Sequence, residues 1–208
     1  MNRFNKLDRF LSELDHGLKT LFLKPRPSFL LGPDLELSPA EIKKSAGLMR
    51  VNHTGEICAQ ALYRGQAFAA KNLKTRAYLL EAASEENNHL AWCQERLNNL
   101  NQAHTSYLNT FWYLNSWIIG FAAASISDAI SLGFVVETEH QVIKHLSLHL
   151  ETLPPSDLRS REILLQMKQD ESDHATKALS KGAAPLPSFI KKIMHCQSKL
   201  MTTTAFYL

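Results

Sequence analysis

The chain has 208 residues, 45% of them hydrophobic, with 23 Lys and Arg set against 20 Asp and Glu for a net charge of +3. That length carries one sizeable core and the composition excludes a disordered chain. The basic residues are scattered, which leaves no footprint for a nucleic acid. The three cysteines, Cys58, Cys93 and Cys196, form no C-x-x-C, excluding a disulfide framework and a closed structural zinc site; they read as small core residues in a reducing compartment.

Residues 3–23 place Phe4, Leu7, Leu11, Leu14, Leu18, Leu21 and Phe22 at helical spacing with Arg3, Lys6, Arg9 and Lys19 among them. The pattern predicts an amphipathic helix, with two readings open: packing on its own domain or lying on lipid. Charges at Arg3, Asp8, Arg9 and Glu13 exclude the apolar core of a secretory signal, so the expected location is the cytoplasm or a membrane face within it. Pro25, Pro27, Gly32 and Pro33 then predict a linker. Residues 1–37 are thus expected to be an N-terminal addition to a main domain over 38–208.

Ser38-Pro39-Ala40-Glu41 has Ser as N-cap, Pro at the first helical position and Glu to close a capping box, so the first helix of the main domain starts near 39. It carries Leu48, Val51, Cys58, Leu62 and Ala69 on one apolar side, with Glu56 at the edge of that side. Gly55 and Gly65 lower helix propensity and are expected to allow close approach of another helix. A second helix is predicted from about Thr75 to Leu100, its stripe reading Leu79, Ala82, Glu86, His89, Leu90, Cys93, Leu97 and Leu100. Between Leu97 and Ser127 there is no Asp, Glu, Lys or Arg, and aromatic residues recur. A single membrane crossing there would separate the helices on either side, so the stretch is expected to lie in a membrane interface or line an apolar pocket.

A third helix of the main domain is predicted from Asp128 to Leu153, ended by Pro154-Pro155, with Leu132, Val135, Glu139, Val142, Leu146 and Leu150 on one stripe. Glu139 is central there, whereas Glu137 points to nearly the opposite side and is the fallback. A fourth runs from Ser156 or Asp157 to Gly182 with Leu164, Met167, Glu171, His174, Ala175 and Ala178 together. After Pro185 and Pro187 a last amphipathic segment, with Phe189, Ile190, Ile193, Met194, Leu200 and Met201 and with Lys191, Lys192 and Lys199, closes the bundle or touches lipid.

One pattern occurs twice. Glu56 precedes Glu86-x-x-His89 by 30 residues, and Glu139 precedes Glu171-x-x-His174 by 32. One Glu from each of two helices and Glu-x-x-His from each of two others is the ligand set by which a four-helix bundle holds two iron or manganese ions. A lone Glu-x-x-His is usually a solvated pair, but carboxylates set in apolar stripes need a partner, and a metal supplies it. The mixed oxygen and nitrogen ligands favour iron over zinc, with manganese open. His145, six residues after Glu139, is a candidate to hydrogen-bond a ligand; His53 is open between that role and an exposed or capping one. His140 and His149 carry no such argument.

The run Leu48-Met49-Arg50-Val51-Asn52-His53-Thr54-Gly55-Glu56, continued through Ala59 to Tyr63-Arg64-Gly65-Gln66, resembles the signature of the demethoxyubiquinone hydroxylases, and the likeness extends from about Leu48 to Ala178. The resemblance implies an all-α, ferritin-like four-helix bundle with a di-iron centre, flanked by N- and C-terminal amphipathic helices. It implies iron ligands at Glu56, Glu86, His89, Glu139, Glu171 and His174, the same six, and aligning Glu139 also brings His145 onto a histidine of the family. It further implies a monooxygenase that uses two iron ions and O2 to hydroxylate the ring of a demethoxyubiquinol, a polyprenyl benzoquinol, late in ubiquinone biosynthesis. Such an enzyme would sit peripherally on the cytoplasmic face of the inner cell membrane, alone, as a homo-oligomer or with other proteins of the pathway. The rivals are a ferritin-like iron-storage protein, a rubrerythrin-like peroxidase, and another di-iron oxygenase or desaturase acting on a lipid. The long uncharged run argues against the first, and the lack of a cysteine-rich iron site against the second.

Overall fold

The computed structural model describes residues 6–22 and 36–207, so the linker expected around Pro25–Pro33 lies outside the described residues. These fold into seven helices: α1 (Lys6–Phe22), α2 (Pro39–Ala69), α3 (Leu73–Asn99), α4 (Asn109–Ile126), α5 (Asp128–Thr152), α6 (Leu158–Ser180) and α7 (Ser188–Tyr207). The helix starts follow their caps. The Ser38–Glu41 capping box forms as expected, Asn72 accepts from the Lys74 amide and begins α3 two residues before the expected start, and Ser127 and Asp157 cap α5 and α6.

Helices α2 and α3 pair as one hairpin and α5 and α6 as another, and the two hairpins face each other to make the four-helix bundle. Its apolar core has two main parts, beside a smaller third cluster of Ile57, Ala61, Leu90 and Tyr113. One gathers Met49, Trp92, Leu97, Leu146, Leu164 and Met167; the other gathers Tyr63, Leu79, Ala82, Leu132, Val135 and Ala178. On each of the four helices the predicted metal residues fall between these two parts in sequence, so an apolar layer closes the site from both ends. A fully buried ion pair, Arg96 to Asp157 at 2.8 Å, ties the end of α3 to the start of α6, and Ser160 accepts from the same guanidinium.

The uncharged stretch forms α4, which packs along α2 more extensively than any other helix does. The two backbones touch. A Cβ added at Gly65 would lie 2.1 Å from the Trp117 carbonyl oxygen, and one at Gly120 2.1 Å from that of Leu62. Gly65 therefore has the role the sequence suggested. Gly55 does not: a Cβ there meets nothing within 4 Å, because the residue borders a cavity. With α3 on one side, α4 on another and α1 and α7 alongside, α2 is buried around most of its circumference. The expected one-sided stripe is absent for that reason, and Glu56, placed at its edge by periodicity, is only 3% exposed. No helix among the described residues is long and apolar enough to cross a membrane.

Helix α1 packs on the bundle with its polar side inward. Glu13 accepts two hydrogen bonds from Arg64 at 2.9 and 2.8 Å, Thr20 donates to Gln60, Arg9 donates to the Phe68 carbonyl, and Gly17 sits against the Tyr113 ring. Leu7, Phe10, Leu11, Leu14, Leu18 and Phe22 are left facing outward. Helix α7 is held near its start by Lys191 to Glu137 at 3.0 Å. Near its end Arg50 donates to the Phe206 carbonyl at 2.9 Å.

Candidate metal centre

Glu56 from α2, Glu86 and His89 from α3, Glu139 from α5, and Glu171 and His174 from α6 meet in the middle of the bundle, all buried. They divide into two overlapping groups: Glu56, Glu86, His89 and Glu171, and Glu86, Glu139, Glu171 and His174. In each group the nearest ligand atoms lie within 4.8 Å of one another. Glu86 and Glu171 belong to both. Glu137, the fallback on α5, is on another side of its helix, accepting from Gln141 and paired with Lys191.

Both imidazoles turn Nδ1 inward. His89 Nδ1 lies 2.8 Å from Glu86, 3.1 Å from Glu171 and 3.6 Å from Glu56. His174 Nδ1 lies 3.2 Å from both Glu86 and Glu171 and 3.8 Å from Glu139. Their outer nitrogens cross over to acidic residues of the opposite helix: His89 Nε2 to Asp170 at 3.0 Å, and His174 Nε2 to Glu85 at 2.7 Å. Sequence reasoning assigned neither of these outer carboxylates a role. The signal was an acid directly before each Glu-x-x-His, Glu85-Glu86 and Asp170-Glu171. Tyr63, also unassigned, is fully buried and donates its phenol proton to Glu139, while Tyr78 donates to the His174 carbonyl.

The electrostatics are those of a crowded acidic box. Burial pushes the Glu56 carboxyl well above the usual range, opposed by the hydrogen bond from His89 and reinforced by Glu86 and Glu171. Burial, then Glu171 and Glu86, does the same to Glu139. Burial also opposes charge on Glu86, yet His89 and His174 hold it below the ordinary carboxylate range. Burial disfavours charge on the imidazoles too, but Glu86 above all raises His89, and Glu171 and Glu86 push His174 up to about 11. Glu139 Oε2 is buried and accepts no hydrogen bond. Hard oxygen donors, two inward nitrogens and a spare buried carboxylate oxygen suit a pair of divalent cations, which would take over the neutralising work of the two imidazolium protons.

The remaining histidines stand apart. His145 makes no hydrogen bond to any of the six; its ring lies tilted at 59° against that of His149 with the centroids 3.8 Å apart, and burial lowers it to about 4. His53 is buried on α2 rather than exposed or capping, and burial lowers it to about 4. Of the cysteines only Cys93 is a core residue: Cys58 borders the cavity and Cys196 is exposed on α7. That cavity, about 130 Å3, lies between α2, α4, α5 and α7, with Glu56, Val51, Leu62, Ile119, Phe134 and Met194 on its walls. Its size compares with the roughly 150 Å3 apolar hole that takes up benzene. An open groove between α4 and α7 shares Trp112 and Gln197 with it, and there Gln197 donates to Asn115 at 2.7 Å.

Residues 43–205 match the family model described as "Ubiquinone biosynthesis protein COQ7". The chain is 53% identical over 210 residues to the 3-demethoxyubiquinol 3-hydroxylase of Francisella tularensis subsp. tularensis (strain WY96-3418), covering 99% of each. Proteins of the same name from Francisella tularensis subsp. novicida (strain U112) and subsp. holarctica (strain LVS) are 53% and 52% identical with the same coverage.

Proposed function

The chain belongs to the ubiquinone biosynthesis protein COQ7 family, and from that premise we propose that its buried box of carboxylates and imidazoles holds two iron ions serving the hydroxylation of a demethoxyubiquinol. It is a hydroxylase of ubiquinone biosynthesis, turning 3-demethoxyubiquinol into 3-demethylubiquinol. The observation that carries the iron reading is the pair of four-residue groups sharing Glu86 and Glu171, next to a ring-sized cavity that Glu56 also borders.

In this reading Glu86 and Glu171, one from each Glu-x-x-His and common to both groups, would help to hold both ions. Glu56 and His89 would hold one ion with them, and Glu139 and His174 the other. Bound there, iron supplies the activation of O2 and delivery of one oxygen atom to the ring, chemistry that no side chain of the box possesses. The protein's own residues do the rest. Asp170 and Glu85 accept the Nε2 protons of His89 and His174, leaving Nδ1 of each free to ligate. Tyr63 fixes the orientation of Glu139. The two apolar core layers exclude water from either end of the site.

The substrate's polyprenyl tail belongs in a bilayer, and the outward apolar residues of α1, together with Phe111, Leu114, Ile118 and Phe121 of α4, form the surface that meets it. Exposed Lys192 and Lys199 on α7 support an anionic leaflet as the surface it meets, and the reading puts the protein peripherally on the cytoplasmic face of the inner membrane. Quinone extraction from cells lacking the protein tests the whole reading. A demethoxy intermediate should accumulate, and wild type but not Glu171→Ala should restore ubiquinone. Normal ubiquinone in the deleted cells would overturn it.

A further inference from the structure

The cavity beside Glu56 is mostly apolar, yet three of its lining residues bury polar atoms without a hydrogen bond: Asn52 Oδ1, Trp112 Nε1 and His145 Nε2. Asn52 and Trp112 are each only 3% exposed. A buried polar atom left unpaired is worth one to two decades in an equilibrium constant, so a site that keeps such atoms beside a cavity fits a ligand that pairs them. The Asn52 amide nitrogen has only the Met49 sulfur, at 3.9 Å, and its carbonyl oxygen can only accept. Trp112 Nε1 can only donate. Asn52 stands one helical turn before Glu56 on α2, so their Cβ atoms are about 5–6 Å apart and share a face. Trp112 borders both the cavity and the α4–α7 groove, which puts it where a ring ends and a prenyl tail leaves.

We propose that Asn52 and Trp112 position the substrate ring: Asn52 Oδ1 accepts a hydrogen bond from a ring hydroxyl and Trp112 Nε1 donates to another ring oxygen, so that the cavity selects the hydroquinone over the quinone. A quinone presents only acceptors and leaves Asn52 Oδ1 facing oxygen. A hydroquinone satisfies both residues at once. The assignment rests on the hydroxylase reading above and adds how the ring is oriented beside Glu56.

The test uses the full-length iron-loaded protein and a tailless probe, 2-methoxy-5-methyl-hydroquinone, with its quinone as the control, under anaerobic conditions. Wild type should bind the hydroquinone at least about tenfold tighter than the quinone. Asn52→Leu should bind the two alike, and Asn52→Asp, which keeps an oxygen acceptor, should retain the preference. Trp112→Phe should weaken both ligands by about tenfold. All three variants should hold as much iron as wild type. Wild type that binds neither probe would overturn the underlying hydroxylase reading. Wild-type binding that Asn52→Leu and Trp112→Phe leave unchanged would overturn this assignment alone.

Discussion

The interior of the bundle and the outer side of α1 and α4 break the usual distribution of residues in opposite ways. Inside, four carboxylates and two imidazoles lie buried among Leu, Met and Val; outside, Leu11 is 53% and Ile118 61% exposed to solvent. Neither arrangement is self-sufficient. The acids need positive charge, and the protein supplies only the protons on His89 and His174. The apolar residues need an apolar neighbour, and α1 turns its Glu13, Thr20 and Arg9 toward the bundle to keep them outward. In the proposed reading each inversion is met from outside the chain, by a cation in one region and by lipid in the other. The cavity and groove join the two regions, which is what an enzyme for a substrate with a polar ring and a hydrocarbon tail requires.

The sharpest way to break the inner half is to remove a carboxylate shared by both ligand groups. Glu171→Ala should lose both irons and at least about a thousandfold in hydroxylation, measured by metal analysis and product formation. Glu139→Ala should likewise lose iron while Glu137→Ala keeps it, since Glu137 serves only Gln141 and Lys191. The reverse outcome would mean that α5 presents its other face to the metals. Acid should act on the same region. Both imidazoles are raised and therefore protonated through the neutral range in the iron-free protein, so each ion displaces a proton on binding. Ferrous affinity should then climb between pH 6 and pH 8, by up to about a hundredfold per pH unit for the pair. A flat profile in chelator competition would show that the imidazoles are neutral before iron arrives.

Much of the inner region was legible in the sequence because a buried carboxylate on a helix keeps the 3.6-residue phase of its apolar neighbours. That phase separates Glu139 from Glu137, two residues apart, and marks Glu86, His89, Glu171 and His174. It fails on α2, where helices on several sides bury almost every position and no phase survives, so Glu56 rested on the family signature. The crossed pairs of Asp170 with His89 and Glu85 with His174 depend on how α3 and α6 face each other, which spacing along one helix does not report. On the outer region the pattern predicted an amphipathic α1 but not which way its apolar side turns. Nor did it show that Trp112, in the same uncharged run as Ile118, is buried against the cavity while Ile118 is exposed.

The outer region should be separable from the inner one. Leu11→Glu, Leu14→Glu and Ile118→Glu together remove three exposed apolar side chains, each worth about 1.5–3 kcal/mol when buried in lipid. Partition onto vesicles containing phosphatidylglycerol should fall by about a hundredfold or more. Iron content and thermal unfolding should stay close to wild type, because exposed positions contribute little to folding. Undiminished partition would show that these residues do not meet the membrane.

The smallest effect is expected at the border between the two regions, where Asp170 and Glu85 hold the ligand imidazoles from the solvent side. Their side chains are 31% and 40% exposed, so water and salt screen them more than any member of the box. Each still accepts the Nε2 proton of a ligand histidine, and removing such a partner weakens metal binding by about ten- to a hundredfold. Asp170→Ala and Glu85→Ala should fall in that range when iron affinity is measured by chelator competition. Asp170→Ala should sit at the upper end: Glu85 is the more exposed and also lies 3.7 Å from Lys177, which shares its charge. Asp170→Asn keeps a carbonyl oxygen for the Nε2 proton and should recover much of the loss. If neither alanine variant weakened iron binding, packing against Trp92 would suffice to orient His89, and the acid before each Glu-x-x-His would serve only the surface.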